Sequence, residues 1–243
     1  MKPDRATGEF SERPSDRPAA EPERIARSAE AILDAAEGLF GQRGYAATSV
    51  AAICAASALP VGSIYHHFTS KSAILSSVLD RAERRFFAEL DDAVGTRLDP
   101  EHRMRKYFEQ APRLMARNAN YFRILVATLQ QDGDTQLLTV ARQSVDAAAI
   151  ALASVIEPVA AGMGASDPAA LSLDLAEMTN GYALGAAILA SYDAQRLRAR
   201  MVPLYGLIRG ALDAAAAQND GGAADRKRRP PTRPRTTKLT NQS

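Results

Sequence analysis

Two very short helical patterns, one directly after the other, constrain this fold more than any other feature of the sequence. The first is SVAAICAA at 49–56, where Val50, Ile53 and Cys54 fall on one face, and the second spans 61–68. The sequence SALP separates them and breaks the pattern. Helices of about eight residues bury too little apolar surface to be stable alone, so both need longer helices behind them.

The sequence supplies a longer helix on each side of this pair. One is predicted over about 24–42, with a stop at Gly44 and one apolar face made of Ala29, Ile32, Ala36, Leu39 and Phe40. The other is predicted to begin after Ser70, whose hydroxyl can cap it, and to run to about Val94. Its inward residues are Ile74, Leu75, Val78, Leu79, Ala82 and Phe86.

This order of helices predicts a three-helix helix-turn-helix, in which the first short helix braces against the DNA backbone and the second lies in the major groove. Thr48, as the N-cap of the bracing helix, and Ser49 offer hydroxyls and N–H groups to a phosphate, and Lys71 offers a second positive site. The second, or recognition, helix is predicted to present Gly62, Ser63, Tyr65 and His66 to DNA, with Ile64 and Phe68 in the core.

The adjacent His66 and His67 also allow a metal site or a catalytic base to be considered. Neighbouring side chains on a helix diverge by about 100°, and no carboxylate or cysteine ligand stands nearby, which disfavours a metal. Ser63 is close enough along the helix to touch His66, but no clear carboxylate orients the pair, which disfavours catalysis. We therefore predict no catalytic and no metal-binding residue, and expect His67 to be structural.

The segment Ala31–Leu79 resembles the DNA-binding domain of the tetracycline-repressor (TetR) family of bacterial regulators. The resemblance is carried by LF…RGY..TSV..I…GSIYHHF.SK, an ordered and nearly gap-free pattern over roughly a fifth of the chain. It implies the DNA-contact positions Thr48, Ser49, Pro60, Val61, Gly62, Ser63, Tyr65, His66 and Lys71. Two positions depart from the family: Ala58 replaces a glycine at the turn, and Cys54 replaces a small alanine. A left-handed turn at Ala58 costs about 1 kcal/mol relative to glycine.

Helical patterns continue at about 101–117, 119–131, 134–158, 167–192 and 196–217. The predicted fold class is all-α, with an N-terminal helix-turn-helix DNA-binding domain and a larger C-terminal helical ligand-binding and dimerisation domain. The predicted boundaries are a disordered tail at 1–23, the DNA-binding domain at 24–70, the second domain at 71–218 and a disordered basic tail at 219–243. The basic tail is either a solvated segment or a non-specific contact with DNA.

The resemblance implies that the second domain holds a pocket for a small effector, often an apolar or aromatic one. Aromatic and methionine side chains in this region are expected mostly in the core, with some of them lining a cavity. The predicted effector-binding residues are Phe108, Met115, Phe122, Leu125, Thr128, Met178 and Tyr182, with Gln130 and Asn180 as further polar candidates.

Two apolar seams in the last two helical patterns indicate packing against another helix at a shallow angle. Packing within one subunit is one explanation, and the resemblance implies the other, a four-helix homodimer interface. The predicted interface residues are Leu171, Leu175, Gly181, Gly185, Leu189, Met201, Leu204 and Ile208. Pro203 either kinks the last helix or marks its start. A homodimer carries two recognition helices, so the expected partner is a palindromic double-stranded DNA operator.

Composition and cysteine usage narrow the remaining classes of protein. Cys54 is the only cysteine, so no internal disulfide or CxxC metal framework is expected. No stretch approaches the roughly 18 uninterrupted apolar residues that span a bilayer, and the N-terminus lacks a signal-peptide core. A cytoplasmic protein without a membrane partner is therefore expected. The net charge of +2 identifies no partner by itself.

A ligand-responsive repressor that needs no cofactor is the leading hypothesis. An activator with the same DNA-binding domain is an alternative that the sequence does not separate from it. An all-helical enzyme or small-molecule carrier is the second alternative. It is disfavoured because the second domain has no metal-ligand cluster, no Gly-rich phosphate loop and no histidine besides His102.

Overall fold

The computed structural model describes residues 21–95, 98–130 and 135–228, which form nine α-helices and no β-strand. The helices are α1 (Glu21–Arg43), α2 (Val50–Ser57), α3 (Val61–His67), α4 (Lys71–Val94), α5 (Pro100–Arg117), α6 (Ala119–Leu129), α7 (Thr135–Gly162), α8 (Pro168–Leu189) and α9 (Ala194–Arg228). The predicted all-α fold is confirmed over these ranges. Of the two tails predicted to be disordered, 1–23 and 219–243, residues 1–20 and 229–243 lie outside these ranges, whereas 21–23 and 219–228 are helical.

The chain folds into two compact units, and the boundary between them lies inside α4, between Val78 and Leu79. The N-terminal unit contains α1, α2, α3 and the first turns of α4. The C-terminal unit contains the rest of α4 and the helices α5 to α9. The domain boundary predicted at 70 falls earlier, at the start of α4.

A small apolar core holds the N-terminal unit together. Ile32, Ala36 and Phe40 of α1 are buried together with Ile53 of α2 and Ile64 of α3. α1 packs against both short helices, and these pack against each other. Because Ile64 is the one buried residue of α3, the rest of this helix is available to solvent or to a partner.

Two serines cap the helices that follow the turns of this unit. The N–H of Ala52 donates to the Ser49 hydroxyl oxygen at 3.1 Å and caps α2, and the N–H of Ala73 donates to Ser70 at 3.0 Å and caps α4. Each bond satisfies one of the N–H groups that a helix start leaves free. The Ser70 cap is confirmed, whereas the cap of α2 lies one residue after the predicted Thr48.

Left-handed backbone conformations end α1 and α2. Gly44 has φ +81°, and its N–H donates to the carbonyl of Phe40 at 3.0 Å, as expected for a glycine that terminates a helix. Ala58 has φ 55° and ψ 26° after α2, and its N–H donates to the carbonyl of Cys54. The left-handed turn considered for Ala58 is therefore present in spite of the missing glycine.

The C-terminal unit is a helical bundle in which α7 packs mainly against α8, and α5 packs mainly against α9. By length and composition α7 could cross a membrane, but this is weak evidence because the core helices of globular proteins pass the same test. Ala141, Leu152 and Ile156 of α7 are fully buried within the bundle.

The last helix is longer than its sequence pattern indicates. α9 continues to Arg228, so the boundary predicted at 218 falls inside it. The alanine run at 214–217 favours helical backbone and carries the helix past the buried Leu212. Pro203 lies inside α9 and does not mark its start.

Candidate functional site

The recognition helix α3 separates its residues sharply into a buried and an exposed set. Ile64 is 1% exposed, whereas Val61 and Tyr65 are 53% and 58% exposed. Gly62 and His66 are also exposed, and Ser63 is half-buried. One anchored residue with a free opposite face is the geometry that a helix needs to enter the major groove. The structure therefore brings together, on this one short element, the predicted DNA-facing residues from Pro60 to His66.

An open groove lies beside α3. It is lined by Arg24, Ile25 and Ser28 of α1, by Leu59, and by Gly62, Ser63, His66 and His67 of α3. His67, expected to be structural, is half-buried and lines this groove with His66, the two ring centroids being 5.3 Å apart. The sequence pattern of α1 indicates only an apolar supporting face, so it does not identify the α1 residues of this groove. The exposed Arg24 is the signal that could have identified them.

Thr48 does not offer its hydroxyl to the surface. Its side chain is 1% exposed, and Oγ1 donates to the carbonyl of Gly44 at 2.8 Å. A buried hydroxyl that already has an acceptor is not available to a phosphate, which corrects the predicted role of this side chain. The exposed Ser49 remains at the start of α2 as the surface hydroxyl.

Lys71 is also committed to contacts inside the N-terminal unit. Its Nζ donates to the carbonyl oxygens of Tyr45 and Thr48, both at 2.9 Å. The ammonium also lies 4.1 Å from the centroid of the Tyr45 ring, within cation–π range. The predicted phosphate clamp is therefore, in this structure, a tether that fastens the start of α4 to the loop between α1 and α2.

The C-terminal unit contains a cavity of about 50 Å³ lined by residues of α4, α5, α6, α7, α8 and α9. Three of the seven predicted effector residues line it, namely Met115, Phe122 and Leu125. Its wall also includes several residues that the sequence pattern did not single out as ligand contacts, among them Phe86, Phe87, Ser144 and Thr179. Polar residues at buried positions of otherwise apolar helices are the signal that could have found Ser144 and Thr179.

The other four predicted effector residues lie outside this cavity lining. Phe108 and Thr128 are buried in the core, and Thr128 Oγ1 donates to the carbonyl of Ile124 at 2.7 Å. Met178 and Tyr182 are 71% and 46% exposed on α8. Because successive helical residues are rotated by about 100°, the residue after Met178, Thr179, faces the cavity instead.

Two tyrosines in the cavity wall are held in their neutral form. Burial raises the pKa of Tyr107 above its ordinary value of 10.0, and the carboxylate of Asp91 raises it further. Burial and then the carboxylate of Glu83 raise the pKa of Tyr121, which a hydrogen bond with Ser144 lowers in part. Both phenols are therefore uncharged at physiological pH.

The predicted dimer residues fall into two groups. Leu175, Met201, Leu204 and Ile208 are no more than 8% exposed, so they already pack inside the subunit, and this corrects their prediction as surface contacts. Leu189 is 72% exposed, Gly181 is exposed, and Leu171 and Gly185 are half-buried. An amphipathic seam shows which face of a helix is apolar but does not show what covers it.

A second apolar set lies on the outer side of α9, opposite its buried seam. Val202 and Leu207 are 41% and 68% exposed, and the small or apolar residues Ala199, Pro203, Gly206, Gly210, Ala214 and Ala217 are exposed with them. On α8 the corresponding exposed residues are Met178, Tyr182 and Leu189. The Tyr182 hydroxyl donates to the carbonyl of Arg200 at 3.2 Å and so joins the two helices.

Residues 32–78 match the family model described as bacterial regulatory proteins, tetR family. Similar curated proteins include the HTH-type transcriptional regulator UidR of Escherichia coli (strain K12), 33% identical over 63 residues, or 26% of this chain and 32% of that protein. The HTH-type transcriptional repressor KstR2 of Rhodococcus jostii (strain RHA1) is 37% identical over 68 residues, 28% of this chain and 33% of that protein. The chain thus spans about a third of the length of these curated relatives.

Solved structures show the same fold over a larger part of the chain. A TetR family regulator from Agrobacterium tumefaciens superposes with a TM-score of 0.61 at 22% identity, covering 75% of this chain and 97% of that one. The fatty acid degradation regulator FadR from Bacillus halodurans gives a TM-score of 0.63 at 16% identity, covering 79% and 96%. The N-terminal unit therefore carries a DNA-binding domain of the tetR family of bacterial regulatory proteins, and the C-terminal unit shares the helical fold of the solved structures.

Proposed function

We propose that this protein is a ligand-responsive repressor that binds a palindromic DNA operator as a homodimer and is released by a small-molecule effector. The observation that carries the proposal is the exposure of Tyr65 and His66 on a recognition helix whose single buried residue is Ile64. Two long side chains with polar tips, held on a rigid helix, suit contacts with base edges and phosphates. The exposed Ser49 at the start of α2 supplies the accompanying backbone contact.

The apolar faces of α8 and α9 support the homodimer. Met178, Leu189 and Leu207 are each more than two-thirds exposed in the single chain, which is costly for large apolar side chains in water. Gly181, Gly185, Gly206 and Gly210 lie among them, and a Cβ added at any of these positions would meet no atom of the same chain. A second copy related by a two-fold axis would cover both helices and allow close approach at the glycines.

The cavity of the C-terminal unit supports a small-molecule effector. With a volume of about 50 Å³ it is too small for most ligands, so binding requires its wall to move. Phe86 and Phe87 in that wall belong to α4, the helix that continues into the N-terminal unit. A ligand that displaces them would shift α4 and change the spacing of the two recognition helices in the dimer. DNA requires a spacing close to the groove repeat of roughly 34–36 Å, so a small shift weakens binding.

The relatives favour repression over the alternatives. KstR2 carries the name repressor, whereas UidR is named only as a regulator, so an activator remains the second candidate. The relatives are transcriptional regulators and not enzymes, which favours a non-enzymatic role here. Within the ranges that the structure describes, no group of three His, Cys, Asp or Glu side chains could hold a metal. Such a regulator acts in the cytoplasm, where its operator lies.

Selection of bound sequences from random double-stranded DNA tests the proposal. We expect enrichment of a palindromic site at moderate salt, and footprinting of both half-sites by the purified homodimer. A reporter fused to that site, measured with and without the gene, then separates repression from activation: deletion should raise expression. Failure to enrich any sequence would refute the proposal, and a fall in expression on deletion would make the protein an activator.

A further inference from the structure

The cavity of the C-terminal unit has an uncharged wall. Its lining residues are aromatic, aliphatic or neutral polar, and none of the described ones is Asp, Glu, Lys, Arg or His. The charged groups that act on the lining tyrosines from just outside are both carboxylates, Asp91 near Tyr107 and Glu83 near Tyr121. An anionic ligand in this site would lose its hydration, find no cation and meet a negative potential.

Most polar groups of the wall already have partners within the protein. Tyr121 and Ser144 share a hydrogen bond, and the Thr179 hydroxyl donates to the carbonyl of Leu175 at 2.7 Å. Asn180 is different, because its Nδ2 is buried and has no acceptor in the part of the chain that the structure describes. A buried donor without an acceptor costs about 1–3 kcal/mol, so a ligand that supplies the acceptor recovers this loss.

We infer that the cavity takes an uncharged, mainly apolar or aromatic molecule that carries a hydrogen-bond acceptor such as a carbonyl oxygen, bound by Nδ2 of Asn180. The apolar body would lie against Phe86, Phe122 and Tyr107, and the acceptor would face α8. This inference rests on the proposed role of the cavity as an effector site and specifies the chemical class of the effector.

Four probes that share a phenylalkyl body test the inference by calorimetry and thermal shift on the full-length protein. They are benzylacetone, which has a ketone, butylbenzene, which has no polar group, hydrocinnamate, an anion, and phenylpropylammonium, a cation. We expect benzylacetone to bind about 5- to 10-fold more tightly than butylbenzene, because only the ketone satisfies Asn180. Hydrocinnamate should bind more weakly than both. Phenylpropylammonium should also bind more weakly, because burial removes its hydration and the lining offers no carboxylate to pair with it.

The variant Asn180→Leu keeps the approximate volume of the side chain and removes its donor, so the preference for benzylacetone over butylbenzene should fall to about one-fold. Leu173→Met is the matched control on the same helix, where the side chain is exposed and outside the cavity, and it should keep the preference. Tightest binding of either charged probe, binding of none of the four, or an unchanged preference in Asn180→Leu would each overturn the inference.

Operator binding by the same preparations separates this inference from the proposed function. Suppose that the ligand-free protein and Asn180→Leu both bind the selected operator, but the probes do not bind as expected. The inferred ligand class is then wrong, and the proposed function as a DNA-binding regulator is kept. If the ligand-free protein binds no specific DNA, the proposed function fails whichever probe it prefers.

Discussion

The ammonium of Lys71 donates to the main-chain carbonyl of Tyr45 at 2.9 Å and lies 4.1 Å from the centroid of the same residue's ring. Because Nζ also donates to the carbonyl of Thr48, one side chain ties the start of α4 to the loop before α2. The loop positions α2, the helix expected to brace against DNA, so we expect the tether to act on DNA binding through the fold of the N-terminal unit.

Replacing this tether should destabilise the protein. We expect Lys71→Met to lower the free energy of unfolding by about 1–3 kcal/mol, since two partly buried carbonyl groups lose a charged donor. Chemical denaturation measures the change. Arg84→Met is the control for loss of one positive charge, because the Arg84 side chain is 67% exposed and its surface ion pair with Asp80 contributes little. A stable Lys71→Met protein with a shallower salt dependence of DNA binding would restore Lys71 as a phosphate contact.

Thr48 and Ser49 should separate into a structural and a surface role. Thr48→Val removes the hydrogen bond to Gly44 from a buried site and should cost about 1–2 kcal/mol of stability, without changing the salt dependence of operator binding. Thr48→Ser keeps the donor and should cost less. If Thr48→Val instead reduced the salt slope at unchanged stability, the hydroxyl would be a phosphate contact after all.

The turn at Ala58 should tolerate or favour glycine. Ala58→Gly relieves a left-handed conformation that costs an L-residue about 1–2 kcal/mol, and the greater freedom of glycine in the unfolded chain offsets about 0.5–1 kcal/mol of that gain. A small rise in melting temperature is expected. Ala55→Gly, at an exposed position inside α2, should lower it by removing helix propensity. A fall in both variants would contradict the left-handed strain at 58.

Base recognition should depend on the exposed tips of α3. Tyr65→Ala and His66→Ala should each weaken binding to the selected operator at least about tenfold, since a good base contact contributes about 1–3 kcal/mol. Their melting temperatures should change little because both side chains are exposed. Gln143→Ala, at an exposed position of α7, is the control and should bind as the unmodified protein does. Unchanged affinity in both α3 variants would remove these residues from the interface.

The outer faces of α8 and α9 should be the dimer contact. Met178→Glu and Leu207→Glu place a charge on exposed apolar positions and should give folded monomers by light scattering after size-exclusion chromatography. Ile150→Glu alters an equally exposed residue of α7 and should leave the dimer intact. Dimers that survive both substitutions on α8 and α9 would place the interface elsewhere.

Stability at high pH should report on the two buried tyrosines. Their pKa values are raised in the folded protein, so their stabilising effect is complete below the unfolded value of 10.0 and is lost as pH rises above it. Between the unfolded pKa and the higher folded pKa, the unfolded chain binds fewer protons than the folded protein. In that range each tyrosine lowers the free energy of unfolding by up to about 1.4 kcal/mol per pH unit. Tyr107→Phe should make this decline less steep, whereas Tyr65→Phe, at an exposed position, should not. Equal slopes in both variants would show that Tyr107 ionises freely.

Prediction from the sequence was most accurate where local chemistry decides the structure. The bounds of α3 and α4, the Ser70 cap and the stop at Gly44 follow from side chains and backbone groups within a few residues of one another. The phase of α3 likewise placed Ile64 in the core and Tyr65 and His66 on the surface. These features depend on the helical periodicity of apolar residues and on capping residues, and both can be read directly from a sequence.

The partners of longer-range contacts were decided by the tertiary structure. Lys71 and Tyr45 are 26 residues apart, and nothing in their local sequence shows that the ammonium turns inward. Met201, Leu204 and Ile208 would form the same apolar seam whether they packed within one subunit or against a second copy. The packing of α9 on α5 and α8 shows that these residues are buried within the subunit. The cavity, and the Asn180 Nδ2 that has no acceptor among the described residues, lie where side chains of six helices meet. Those side chains are distant from one another in the sequence.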